Sequence, residues 1–303
     1  MVHLPADVAA GGDDVAERVT ARDERLQYMA WRGATLAVPA LPRPIDPGLA
    51  RIAGALAYAF APKARASVRA NLEVVAPPLS ATEREALVRR AFVNQARNYL
   101  ATVRLPRLDP ARVDLVIEGR EHIERARASG RGIVIASAHF GPLPLVGPVG
   151  LARLGLPLSI IAEAIPPRLF DLLNRTLRGS LGASFLPASE ALGIHRHLKR
   201  GEAIGVLGDR AVTGVGMRIP FFAREALLPI GHLHLAARTG AALLPSFAFP
   251  GDPPRGVILP PLLLETARGD DAMRENLRRW VAVLEGVIAS APDEWHVFER
   301  IWP

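Results

Sequence analysis

The sequence predicts an α/β fold: a mixed, largely parallel sheet flanked by helices, preceded by a helical, membrane-contacting N-terminal segment. Three observations carry this. From about residue 113, short apolar runs of strand length alternate with amphipathic stretches of helix length. Upstream of that point the apolar periodicity is helical. Half of the 303 residues are apolar and 22% are charged, which excludes global disorder. The expected organisation is a loose tail over 1–24, a helical segment over 25–112 and an α/β domain over 113–303.

The tail assignment rests on Gly11, Gly12, Asp13 and Asp14, in a stretch with little apolar content. Residues 26–62 combine Tyr28, Trp31, Leu36 and Leu41 with Arg32 and Arg43, then a small-residue apolar run through Tyr58 and Phe60. Two short helices broken at Pro42, Pro44 and Pro47 fit this pattern. Aromatic and arginine residues beside apolar runs suit a bilayer interface, and they suit a helical cap on a core equally well. Ser80 and Glu83 read as a capping box opening a long helix, which Pro106 and Pro110 end. Strands are then expected at 115–118, 132–138, 158–162, 203–207, 217–222, 243–249 and 257–259. Helices are expected at 121–128, 142–154, 167–177, 190–199, 230–239 and 272–289.

The formal net charge is +7, with only two lysines, Lys63 and Lys199, among 37 basic residues. Residues 131–263 hold 13 basic against 7 acidic residues, so this segment is the one expected to meet an anion. No cysteine is present, which excludes a disulfide scaffold, a thiolate metal site and a cysteine nucleophile. No uncharged apolar run reaches the roughly 18 residues that a membrane-spanning helix needs. The first residues lack the apolar core of a secretory signal.

Walker, dinucleotide-binding and Gly-x-Ser-x-Gly signatures are all missing, as is the basic–aromatic interleaving of nucleic-acid binders. No nucleic-acid partner is expected. His195 with His197, and His232 with His234, are spaced i,i+2 within expected helices. That spacing does not share a face, so no metal site is assigned.

His139 differs from the other histidines. It ends the apolar run GIVIASA and precedes Phe140, Gly141 and Pro142. Gly141 permits a tight turn and Pro142 suits the first turn of a helix. The imidazole is thereby expected at the C-terminal edge of a parallel sheet, where open α/β sheets bind ligands. A neutral histidine beside a helix N-terminus can act as a general base, and it can equally be a structural strand cap. A second cluster runs from Val206 to Phe249. Asp209 and Arg210 end a strand there, a short strand carries Phe221 and Phe222, and Glu225 is expected to lead into a helix. Asp209 and Arg210 could form a strand-end salt bridge or belong to a site.

These blocks resemble the lysophospholipid acyltransferase superfamily, in the branch of the lipid A lauroyl/myristoyl acyltransferases and the phosphatidylinositol mannoside acyltransferases. The resemblance runs from about Leu26 to the end. It rests on His139-Phe140-Gly141, on Asp209-Arg210, on Phe221-Phe222 with Glu225-Ala226, and on Gly240-Ala241 through Pro245. It rests further on the closing Trp295, Phe298 and Trp302, and upstream on Arg69, Asn71-Leu72, Asn94 and Ala96-Arg97. It implies a glycerolipid acyltransferase-like fold and an O-acyltransferase of membrane lipid biosynthesis.

In such an enzyme His139 would be the base for attack of a glycolipid or lysolipid hydroxyl on an acyl thioester. The thioester would be carried by acyl carrier protein or coenzyme A, with no resident cofactor. Backbone N–H groups near Gly141 would hold the oxyanion. Phe140, Gly141, Glu163, Asp209, Arg210 and Phe222 would contact substrate, with Arg210 on a phosphate. The expected location is the cytoplasmic face of the inner membrane, as a peripheral or monotopic protein.

One position departs from the family. The family pattern His-x-x-x-x-Asp/Glu pairs the base with a carboxylate. Counted from His139, the place of that acid is taken by Pro144, and no acid lies between Glu124 and Glu163. Glu225 is the first candidate substitute, Glu163 the second, and Asp209 the third, with Asp209 expected instead to hold Arg210. The alternatives are a degenerate lipid-binding relative and a thioester hydrolase.

Overall fold

The computed structural model describes residues 21–162, 166–187, 191–211, 214–267 and 269–302. Most of the expected tail therefore lies outside the described residues. Helix α1 (Ala21–Ala37) already begins inside its boundary at 24. Helices α2 (Asp46–Phe60), α3 (Pro62–Val75) and α4 (Ala81–Arg104) complete the N-terminal layer. Prolines divide it: the stretch 38–45, with Pro39, Pro42 and Pro44, cannot continue α1, and Pro62 sits in the first turn of α3. Ser80 caps α4 as expected. Its hydroxyl accepts from the Glu83 N–H, and the Glu83 carboxylate accepts from the Ser80 N–H at 2.8 Å.

The α/β part runs β1 (Val116–Glu118), α5 (Arg120–Ala128), β2 (Ile133–Ser137), α6 (Leu143–Arg153), β3 (Leu158–Ala162) and α7 (Pro167–Leu181). It continues with β4 (Ser184–Pro187), α8 (Ala191–Lys199), β5 (Ala203–Leu207), β6 (Met217–Phe221), β7 (Arg224–Leu228) and α9 (Gly231–Thr239). It closes with β8 (Ala242–Phe249), β9 (Arg255–Ile258) and α10 (Asp270–Ser290).

Seven strands form one sheet in the order β1-β9-β8-β2-β5-β3-β4. Every pairing within it is parallel except β8 with β9. The mixed, largely parallel sheet expected from the sequence is therefore present. Helices cover both of its faces. Val134, Ala136 and Ala138 join a core with α9 and α10, while Ile133 and Ile135 join a second core with α5 and α6. Burial on both faces is why β2 reads as an unbroken apolar run rather than an alternating one. Trp280 of α10, fully buried and stacked on Phe247 with ring centroids 6.0 Å apart, anchors the first core.

Two expectations fail here. The segment after Phe221 does not run directly to the helix expected at 230–239, which is present as α9, because an unexpected strand, β7, comes first. β6 and β7 form a separate antiparallel hairpin in which Pro220 pairs with Glu225. Its two-residue turn, Phe222-Ala223, has positive φ at both positions (50° and 58°), a geometry normally left to Asn and Gly. The Glu285 carboxylate accepts the Phe222 N–H, and the Phe222 ring packs against Phe221 and Trp302, which hold the turn. Strand β4 is the second difference, because four residues ending in Pro187 resemble a loop in the sequence.

Helix α2 packs on α4 through its small residues. Ala50 and Gly54 are buried, while Ile52, Leu56 and Phe60 are exposed. A Cβ at Gly54 would lie 2.6 Å from Val93 Cα. Gly54→Ala should therefore push α2 off α4 and lower stability by about 1–3 kcal/mol, read as a reduced midpoint of chemical unfolding.

Candidate active site

Strands β2 and β5 are parallel neighbours in register, with Ser137 opposite Leu207. The pairing runs past the strand ends, because the Gly208 N–H donates to the Ser137 carbonyl at 2.8 Å. Just beyond the two strands, this register brings His139 and Asp209 face to face. Asp209 Oδ1 lies 2.9 Å from His139 Nδ1, and Oδ2 accepts the His139 backbone N–H at 3.0 Å. The Trp295 indole N–H donates to the same Oδ2 at 2.9 Å.

Asp209 is fully buried, whereas the His139 side chain is partly exposed. Burial acts to raise the Asp209 pKa. The imidazole charge and the three donors outweigh it and hold the carboxyl below the ordinary aspartate value. An ionised carboxylate can only accept, so the proton between the two sits on Nδ1, and the neutral form of the ring carries its lone pair on Nε2.

The loop after β2 is fixed from three sides. Gly141 has φ +63°, and a Cβ there would lie 1.8 Å from the Ala248 carbonyl oxygen, so only glycine fits. Its N–H donates to the Glu294 carbonyl at 2.8 Å, and its own carbonyl accepts from Asn98 Nδ2 at 2.9 Å. The His139 carbonyl accepts from the His296 N–H at 2.6 Å. Of the backbone N–H groups near Gly141 expected to hold an oxyanion, that of Gly141 itself is engaged by the Glu294 carbonyl.

His139, Phe140 and Gly141 border an apolar cavity of about 430 Å³, inside the size range of small-molecule sites. The cavity lies between the sheet and helices α4, α6 and α7. Ile135, Leu158, Ile160 and Leu207 form its floor, and Tyr99, Leu105, Gly147 and Leu151 are among the residues above it. Ser137 Oγ and both ring nitrogens of His296 are buried here without a hydrogen-bond partner among the described residues. His296 Nε2 lies 3.6 Å from Glu294 Oε2. Sequence reasoning singles out neither Ser137 nor His296. His296 lies in the tail beyond α10, and the backbone contacts of residues 294–296 with His139, Phe140 and Gly141 bring it to the site.

The other expected residues fall as follows. Glu225 does not meet His139. It is exposed on β7 and pairs with Arg218 at 3.4 Å, because the β6–β7 hairpin, separate from the main sheet, carries it. Asp209, third among the substitutes and expected to hold Arg210, is the carboxylate on the imidazole. Arg210 instead pairs with Glu299 at 2.6 Å. Phe222 lies on the hairpin turn and is not among the cavity's lining residues. Glu163 lies outside the described residues.

A histidine oriented by a buried carboxylate, at the C-terminal edge of a parallel sheet and open to an apolar cavity, defines an α/β enzyme equipped for acyl chemistry. Residues 20–303 match the bacterial lipid A biosynthesis acyltransferases, and the chain belongs to that family, as an O-acyltransferase of lipid biosynthesis. It is 30% identical to a phosphatidylinositol mannoside acyltransferase of Mycolicibacterium smegmatis over 246 residues, 78% of each chain. It is 30% identical to a lipid A biosynthesis lauroyltransferase of Escherichia coli over 288 residues, 90% of each chain. A lipid A biosynthesis palmitoleoyltransferase of the same organism is 28% identical over 67% of each chain.

Behind the site, His232 is 1% exposed and lies edge-on to Trp280, with ring centroids 5.0 Å apart. Burial pushes its pKa down to about 3, with the nearby Asp209 charge opposing. The unfolded chain binds that proton near the ordinary value of about 6.5, and the folded chain does not. The stability contributed by neutral His232 is complete above about pH 6.5 and is lost as pH falls from there towards 3. Unfolding midpoints measured across that window should decline, and the decline should be shallower in His232→Leu.

Proposed function

We propose that the chain transfers a fatty acyl group from a thioester, on acyl carrier protein or coenzyme A, to a hydroxyl of a membrane glycolipid or lysolipid. The observation that carries this reading is the His139–Asp209 pair at the border of the apolar cavity. His139 Nε2 takes the proton of the acceptor hydroxyl as its oxygen attacks the thioester carbonyl carbon. Asp209 stabilises the imidazolium that forms. Collapse of the tetrahedral intermediate breaks the C–S bond, and the imidazolium returns the proton to the departing thiolate. The Ser137 hydroxyl and the His296 ring, without hydrogen-bond partners among the described residues, are polar groups available to the substrate's oxygens.

The acyl tail lies in the cavity, against Phe140 and Gly141 at its border. Arg210 stands beside Asp209 for a phosphate of donor or acceptor. The reaction uses the thioester as co-substrate and calls for no resident metal or cofactor.

Membrane contact belongs to this reading, at the cytoplasmic face of the inner membrane. No described helix is long and apolar enough to cross a membrane. Helix α2 nevertheless turns its large apolar residues outward, with Phe60 82% exposed, and its small ones inward. That is the reverse of an ordinary surface helix and suits a face lying in the bilayer interface. The degenerate, lipid-binding alternative rests on the loss of an acid at Pro144. The Asp209 carboxylate on the same imidazole supports the catalytic reading over that alternative.

His139→Ala and Asp209→Asn should each slow acyl transfer from coenzyme A or carrier-protein thioesters by roughly a hundredfold to ten-thousandfold. Glu225→Gln should leave the rate within about twofold, as expected of an exposed surface side chain. Retained activity in His139→Ala overturns the assignment. The acyl tail has its own test. A Cβ at Gly147 would find only Leu143 within 4 Å, at 3.5 Å. Gly147→Leu should therefore extend into the cavity and shift preference towards shorter acyl donors, measured by competition between donors of different length.

A further inference from the structure

Another face of α4, turned away from the acyl cavity, borders a second concavity of about 530 Å³. Arg43, Arg97, Arg104 and Arg112 line it, with Asp46 and Asp114 as its acids, a surplus of two positive charges. Arg104 is 7% exposed. Its Nη2 pairs with Asp46 at 2.6 Å and its Nη1 donates to the Leu41 carbonyl, but its buried Nε has no hydrogen-bond partner among the described residues. Asp46 is thus already engaged. Among the described residues, Arg97 bonds only the neutral Asn94 Oδ1, at 2.9 Å, and Arg43 has no ion-pair partner. Arg112 pairs with Asp109 at 3.3 Å on an exposed rim.

A buried guanidinium N–H without an acceptor among the described residues, beside Arg43 and Arg97 with no ion-pair partner there and Arg112 paired only on the exposed rim, fits an anion with several oxygens. The rim selects the kind of anion. Exposed Leu41 and Ile45 flank Arg43, and the outward face of α2 continues from there. Phosphate contacts beside exposed apolar side chains match a lipid whose headgroup meets its hydrocarbon.

We propose that this pocket binds the phosphate headgroup of an anionic phospholipid in the membrane, with Arg104 at its base and Arg43, Arg97 and Arg112 around it. The proposal rests on the membrane-facing reading of α2 and seats the chain with α4 between the membrane lipid and the acyl cavity.

The test is vesicle co-sedimentation of the full chain without acyl donor, so its result is independent of turnover. One vesicle is phosphatidylcholine alone, and in the other about a quarter of the lipid is phosphatidylglycerol, enough for a surface potential that basic side chains sense. The wild type should favour the anionic vesicles. Arg43→Gln with Arg112→Gln, both exposed and away from the catalytic residues, should weaken anionic-vesicle binding on the order of thirtyfold while leaving binding to phosphatidylcholine unchanged. A control pair on α5, Arg120→Gln with Arg125→Gln, should keep the preference. Equal loss in both pairs would assign the attraction to diffuse surface charge and overturn the pocket. A wild type that binds both vesicles alike also overturns the pocket but leaves the membrane face standing. A wild type that binds neither removes the membrane face itself.

Discussion

The buried carboxylate of Asp209 is the interaction on which the site depends. A charge with no exposure to water is strongly destabilising unless it is fully hydrogen-bonded. Three donors meet the requirement, and each comes from a different commitment of the fold. The backbone N–H of His139 reports that β2 and β5 are in register. The imidazole reports the turn at Gly141. The Trp295 indole reports that the tail has docked. Lose any one of these and the carboxylate is short of a partner, so the geometry of the base and the integrity of the fold are enforced by the same atoms.

The helical layer serves that arrangement through three buried asparagines. Asn71 donates to the carbonyls of Val297 and Glu299 and accepts from the Ile301 N–H. Asn94 donates to the Asp293 carbonyl, and Asn98 to that of Gly141. Phe92 meets Phe298 edge-on, and Trp302 donates to the Phe221 carbonyl. α3 and α4 therefore clamp the tail, and the tail in turn clamps the loop that carries His139. Residues that look merely familial in the sequence, Asn71 and Asn94 among them, owe their identity to a side-chain amide's ability to substitute for a strand partner.

What can be read from the sequence is what local chemistry dictates. The runs at 133–137, 158–162, 203–207 and 242–249 are apolar because both sheet faces are covered, and all four are strands. Ser80 and Glu83 cap a helix because their side chains satisfy each other's backbone N–H groups. His139 falls at a sheet edge because Phe-Gly-Pro cannot extend a strand. The partner of His139 is hidden because it depends on which strand lies beside β2. That neighbour is β5, which places Asp209 70 residues along the chain from the histidine, and no local pattern encodes the choice. Glu225 is misread for a related reason. A turn at Phe222-Ala223 carries none of the usual turn residues, and its support comes from Glu285 and Trp302, far along the chain.

The role of Trp295 also has a consequence in time. Translation delivers the chain from the N-terminus, and domains begin to fold as they emerge. β2, β5 and most of the cavity residues leave the ribosome before Trp295 and Ile301 exist to pair with Asp209 and Asn71. Until then the carboxylate lacks its third donor and the loop after His139 lacks its clasp. Residues synthesised well after the strands are thus the ones that complete the base, and a nascent chain holds an unfinished site until Trp295 has arrived.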